Sequence, residues 1–124
     1  MSLSVQHERD NIYRLEMSGV LRKADFEECE MVLASEMRRI GQVRLLFVLR
    51  DFEGWEPHTD WNDLTFYVKH GDHIERIAIV GADRWRSETM MFAAAGLRRA
   101  PVKFFSEDLA GARTWLSGEQ RTDC

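Results

Sequence analysis

No apolar stretch of this chain approaches the roughly 18 residues that a membrane-spanning helix needs, so no membrane span is expected. Cysteine is scarce. Cys29 and Cys124 lie far apart and fit neither zinc-ligand spacing nor a disulfide framework. Positive charge is in deficit: 17 Lys and Arg against 21 Asp and Glu give a formal charge of −4. Generic nucleic-acid binding needs the opposite balance, so no nucleic-acid partner is expected. The segment Met1–His7 has neither the basic nor the apolar region of a signal peptide. These absences describe a reduced, cytoplasmic protein. Catalytic patterns are missing too: there is no Gly-x-Ser-x-Gly elbow, phosphate loop or dinucleotide fingerprint. No catalytic residue, metal or cofactor is implied, and the protein reads as a binder rather than an enzyme.

What is present describes one α/β domain. The chain has 124 residues, 44% hydrophobic and 31% charged, enough for a single core. We place the domain at residues 1–117 and expect residues 118–124 to fray. The run Val43–Leu49 is short and rich in Leu, Val and Phe, the pattern of a strand buried on both faces. It leads into a loop, Arg50–Trp55, where the carboxyl edge of an open sheet usually holds ligands. Leu3–Glu8 and Ile12–Ser18 read as a hairpin around Arg9–Asn11, the second strand alternating so that one face is partly solvated, with Gly19 ending it. Phe26, Cys29, Leu33, Met37 and Ile40 form one helical stripe over Lys23–Ile40, with Gly41 as carboxyl cap. A second helix runs to about Lys69 with Trp61, Leu64 and Val68 inward. Strands follow at Arg76–Val80 and Pro101–Phe105, a helix across Met90–Arg98 capped by Ser87, and a last helix to Leu116 capped by Ser106. The order is β-β-α-β-α-β-α-β-α. It predicts a single-layer, mixed and mostly parallel five-stranded sheet with about four helices.

In this order the chain resembles the SpoIIAA-like proteins, related in fold to STAS domains and to the SEC14-type lipid-binding fold. The likeness rests on Asp51-Phe52-Glu53-Gly54-Trp55, His73–Gly81, Trp85, Val102–Phe105 and Ala112–Leu116. It implies a small α/β domain without catalysis. Relatives serve as anti-sigma-factor antagonists, as regulatory domains of anion transporters, or as binders of apolar ligands. In the antagonists a phosphorylatable hydroxyl follows an aspartate after the central strand. Here Phe52 follows Asp51, and Thr59 is the nearest hydroxyl, beyond Pro57. The phosphoswitch is therefore not carried over.

Five groups of residues invite a functional reading. Trp55, Trp61 and Trp85 should gather at the carboxyl edge, either as an aromatic wall for a ligand or as anchors of loops to the core. Asp51, Glu53, Glu56, His58, Asp60 and Asp63 crowd one loop, where oxygen ligands with one His would suit a divalent cation and paired carboxylates acid–base work. Yet no calcium-loop pattern or zinc motif appears, and solvation beside a helix amino terminus accounts for such acids. His70 and His73, three apart with Gly71 between, make a poor metal pair. Arg84 and Arg86 flank Trp85 before a helix amino terminus, a setting for a phosphate or carboxylate, although nearby Asp83 and Glu88 offer them ordinary partners. Met91 and Phe92 lie in an apolar helix that packs on the sheet or meets a partner. Candidate binding residues are therefore Asp51, Glu53, Trp55, Arg84, Trp85, Arg86, Met91 and Phe92. Two occupants suit them: a protein partner, including a second copy of the chain, or an amphipathic, lipid-like anion. A carrier needs an enclosed apolar cavity of several hundred Å³; a partner module needs an exposed apolar patch.

Overall fold

The run Val43–Leu49 lies at the centre of a five-stranded sheet, and its composition follows from that position. In the computed structural model, Val43, Leu45 and Phe47 enter the core on one face, while Leu46 and Val48 enter the core on the other. The structure describes residues 2–58, 73–94 and 101–117, with 92–94 by backbone alone. The strands are β1 (Leu3–Arg9), β2 (Ile12–Leu21), β3 (Val43–Trp55), β4 (Ile74–Gly81) and β5 (Val102–Ser106). The helices are α1 (Lys23–Ile40), α2 (Arg86–Ala94) and α3 (Leu109–Ser117). Strands lie in sequence order across the sheet. The β1–β2 pair is antiparallel and the other three are parallel.

This order dictates the layers. The β2–β3 and β4–β5 connections each advance one strand in the same direction, so right-handed crossovers put their helices, α1 and α2, on one face. Phe26, Cys29, Leu33 and Met37 of α1 pack there, joined by Met90 of α2. The last described helix, α3, covers the other face. Ala112 and Leu116 do so, against Ile12, Leu46, Val48, Ala78 and Val80. Beside α3 that face is polar and partly solvated at β2, as the alternation in β2 predicts. Arg14 lies 3.8 Å from Glu8 there, and Arg50 donates to Glu16 at 2.6 Å.

Several boundaries differ from the expectation. Gly19 does not end β2; its φ of 62° absorbs a bulge and the strand continues to Leu21. The presumed loop Arg50–Trp55 is the second half of β3. Ser87 is not a cap, because α2 starts at Arg86 after a 3-10 turn over Asp83–Trp85. Ser106 ends β5 instead of capping α3. That role falls to Asp108, whose Oδ1 accepts the Gly111 N–H at 2.9 Å. Ile40 is 37% exposed, off the buried stripe. Gly41 does close α1, with φ 93° and its N–H donating to Met37 O. The expected helix to Lys69, with its inward Trp61, Leu64 and Val68, lies outside the described residues, which hold three helices.

Candidate functional site

Two successive bulges shape the carboxyl end of β3. Ser18 pairs with Arg50, Gly19 with Phe52 and Val20 with Gly54, so Asp51 and Glu53 are each an extra residue on β3. Such insertions kink a strand and re-aim its side chains. Asp51 takes φ 51° and Gly54 φ 110° to absorb them. Phe52 consequently turns into the core at 2% exposure, whereas Asp51 and Glu53 point to solvent. Around Phe52 an aromatic cluster forms. Its ring meets Trp55 edge-on at 5.1 Å and Trp85 at 4.9 Å, and the two indoles lie 6.0 Å apart. Thr89 fixes the turn that carries Trp85, donating from its buried hydroxyl to Trp85 O at 2.6 Å.

Beside this cluster is an open cleft of about 520 Å³ between the ends of β3 and β4 and the β5–α3 turn. Its apolar lining comes from Leu49, Phe52, Val80, Trp85 and Leu109, and its charged lining from Arg50, Asp51, Arg84 and Glu107. Gly81 closes the back, where a Cβ would collide with Leu49. Glu107, with φ 52°, donates its N–H to Gly81 O at 3.0 Å, which draws the β5–α3 turn against β4.

The four charges are not equivalent. Arg50 is held by Glu16. Arg84 lies over the Trp85 ring at 5.1 Å and has no carboxylate partner among the described residues. Asp51 and Glu107 have no cationic side-chain partner among the described residues either. Arg86 is absent from the lining. It donates to Asp83 at 3.1 Å and lies 4.7 Å over Phe104. Hydrogen bonds from the Ser106 hydroxyl and then from Arg86 hold the Asp83 carboxyl below its usual range.

The structure therefore brings Asp51, Arg84 and Trp85 into one cleft and leaves Glu53, Trp55, Arg86 and Met91 out of its lining. Trp55 belongs to the aromatic cluster behind it. Glu53 is exposed and outside the lining, as is Met91 at 74% exposure on α2. The side chain of Phe92, like Thr59, Trp61, Asp60, Asp63 and His70, lies outside the described residues. Glu56 is occupied, accepting the Lys23 N–H at 3.1 Å and so closing the start of α1. His73 contacts Gly41 O at 3.1 Å, at the opposite end of the sheet. Among the described residues no group of three His, Cys, Asp or Glu could hold a metal ion, and no helix is long and apolar enough to cross a membrane. Glu107 and Leu109 were not nominated from the sequence. Their signal was available, since the turn after β5 shares the edge used by the turns after β3 and β4.

The SpoIIAA-like family model matches residues 12–117. The chain belongs to the SpoIIAA-like family. A crystal structure of an uncharacterized protein of the DUF3478 family from Shewanella loihica PV-4, with a SpoIIAA-like fold, superposes with a TM-score of 0.69. The two are 26% identical, over 92% of this chain and 91% of the other. A search of curated proteins finds no match. In this SpoIIAA-like domain the place after Asp51 is core, since Phe52 stands there buried against both indoles.

Proposed function

We propose that this SpoIIAA-like domain is a non-catalytic regulatory module that recognises a protein partner through the carboxyl-edge cleft. The observation carrying this reading is the form of the cleft: open, apolar beneath and charged with both signs around it. An exposed apolar surface with a mixed polar rim has the anatomy of a protein–protein contact. Half-buried Trp85 is the kind of residue that dominates such contacts. The rival occupant, an amphipathic lipid-like anion, draws support from Arg84, the arginine without a carboxylate partner among the described residues. Arg86 gives it little help, being engaged by Asp83 and Phe104. Asp51 and Glu107 on the same rim would repel an anion. A partner could also be a second copy, and a cytoplasmic setting fits the composition.

Native mass spectrometry of the protein purified from its own cells, with lipid extraction, tests this. The expected result is a protein complex that Leu109→Glu abolishes while the variant stays folded. A stoichiometric lipid, retained by wild type and lost from the variant, would overturn the reading in favour of the carrier.

A further inference from the structure

Which chemistry the cleft selects follows from its uncompensated charges. Arg50 spends its charge on Glu16 at 2.6 Å. Asp51 and Glu107 line the cleft from different elements, the end of β3 and the β5–α3 turn, and neither has a cationic side-chain partner among the described residues. Among the described residues the unpaired carboxylates of the lining thus outnumber its unpaired guanidinium, that of Arg84. Below them lies apolar surface from Leu49, Trp85 and Leu109. A low-polarity floor strengthens charge pairing at its margin, and complementary charge sets partner choice more than raw affinity.

We propose that the cleft seats a segment of a protein partner in which a basic side chain is flanked by apolar ones, the base between Asp51 and Glu107 and an apolar neighbour on Leu49, Trp85 and Leu109. Arg84 then serves a carbonyl or carboxylate of the same segment, which fixes its direction. This assignment rests on the reading of the cleft as a partner site and adds its polarity. Among the described residues an anionic occupant would face two unpaired carboxylates with one unpaired arginine. A metal ion would lack ligands, since no third donor joins these acids among the described residues. A partner with a base suits both acids, and the apolar floor requires that base to have apolar neighbours.

The experiment titrates the isotope-labelled full chain with three blocked peptides, acetyl-Leu-Arg-Leu-amide, acetyl-Leu-Gln-Leu-amide and acetyl-Leu-Glu-Leu-amide, following the Gly81 amide and Trp85 indole resonances. The arginine peptide should bind about threefold or more tighter than the glutamine peptide, the size of an exposed charge pair's contribution, and the glutamate peptide weakest. High salt should shrink the gap. The double change Asp51→Asn with Glu107→Gln should erase the preference, with the spectrum otherwise intact, whereas Arg84→Gln should leave it or enlarge it. Equal binding of all three peptides at the cleft would overturn the polarity while leaving the cleft as a partner site. Preference for the glutamate peptide would overturn it in favour of an anionic occupant. If no peptide shifts Gly81 or Trp85, both this assignment and the partner reading fall. Hexylguanidinium binding where the arginine peptide does not would make the occupant a small amphipathic cation, which also overturns the proposal.

Discussion

Gly81 lies so close to Leu49 that a Cβ on it would stand 2.6 Å from Leu49 Cδ1 and 2.9 Å from its Cβ. Real side chains do not approach so closely, so Leu49 would have to move, and it lines the cleft. Gly81→Ala should therefore destabilise the fold by about 1–3 kcal/mol, the usual cost of overpacking. Urea denaturation measures it. In a Leu49→Ala background the penalty should shrink, because the γ and δ carbons are gone. An unchanged penalty there would show that another contact is responsible.

Why the sequence disclosed some of this and hid the rest has physical grounds. The α1 stripe at Phe26, Cys29, Leu33 and Met37 is buried where its period predicts, because one helix face has one environment. The burial of β3 on both faces was likewise legible from Val43–Leu49. The second half of β3 was not. Asp51 and Gly54 both take positive φ, and residues suited to that conformation read as a turn unless the neighbouring strand is known to accommodate a bulge. The cap of α3 was misplaced at Ser106, because Asp108 two residues on is an equally good cap and only the extent of β5 to Ser106 decides between them. The site residues divide the same way. Trp85 could be placed at the edge from strand order, whereas the loss of Arg86 to Phe104 depends on a packing contact across the fold.

Asp51 and Glu107, both lining the cleft, hold φ near 50° without being glycine. The left-handed region costs an ordinary residue roughly 1–2 kcal/mol, and glycine escapes that cost at the expense of a more flexible unfolded chain. Asp51→Gly and Glu107→Gly should each raise stability by about 0.5–1 kcal/mol. Asp51→Ala should give no gain. Thermal unfolding of the three variants separates backbone relief from loss of the carboxylate. A destabilised Asp51→Gly would mean that the side chain itself supports the fold.

Cys29 is 5% exposed beneath α1, and burial, reinforced by Asp25, Glu28 and Glu30, pushes its thiol up to about 11. An unfolded thiol titrates near 8.5. Between those values the unfolded chain holds fewer protons than the folded one, so stability should fall as pH rises above about 8.5. Cys29→Ala should flatten that alkaline limb in a pH series of urea melts. Cys29 should also resist a thiol reagent at pH 8 until the protein unfolds. Labelling of native Cys29 at the rate of a free thiol would sink both expectations.

Glu75 accepts from Arg44 Nε at 2.8 Å and from Asn11 Nδ2 at 3.3 Å. The Arg44 hydrogen bond, more than that of Asn11, holds its carboxyl below the usual range despite some desolvation. A depressed carboxylate stabilises fully above its unfolded value, near 4.3, and progressively less as pH falls through its folded one. The difference in stability between wild type and Glu75→Gln should therefore be constant from about pH 7 to 5 and narrow below about pH 4. A gap that stays constant to pH 3 would assign the effect to packing and not to charge.

The same Arg44 reaches further and contributes to the attachment of α3. No strand follows α3 among the described residues, and side chains from the sheet hold its last turn. Arg44 of β3 donates to Leu116 O and Arg76 of β4 donates to Trp115 O, both in the last turn of α3. Arg76 also lies 5.1 Å from the Trp115 ring centroid. Two guanidinium groups thus satisfy carbonyls that a helix end leaves without partners, at the pole where cations are favoured. Hydrogen bonds from charged donors contribute about 1.5–3 kcal/mol. Arg44→Ala and Arg76→Ala should each speed amide exchange across Ala112–Leu116 by at least about tenfold, with little change in α1. Arg44→Ala should have the wider effect, because it also frees Glu75. If exchange rose equally in α1 and α3, the arginines would be supporting the whole fold, and α3 would owe its place to Ala112 and Leu116 alone.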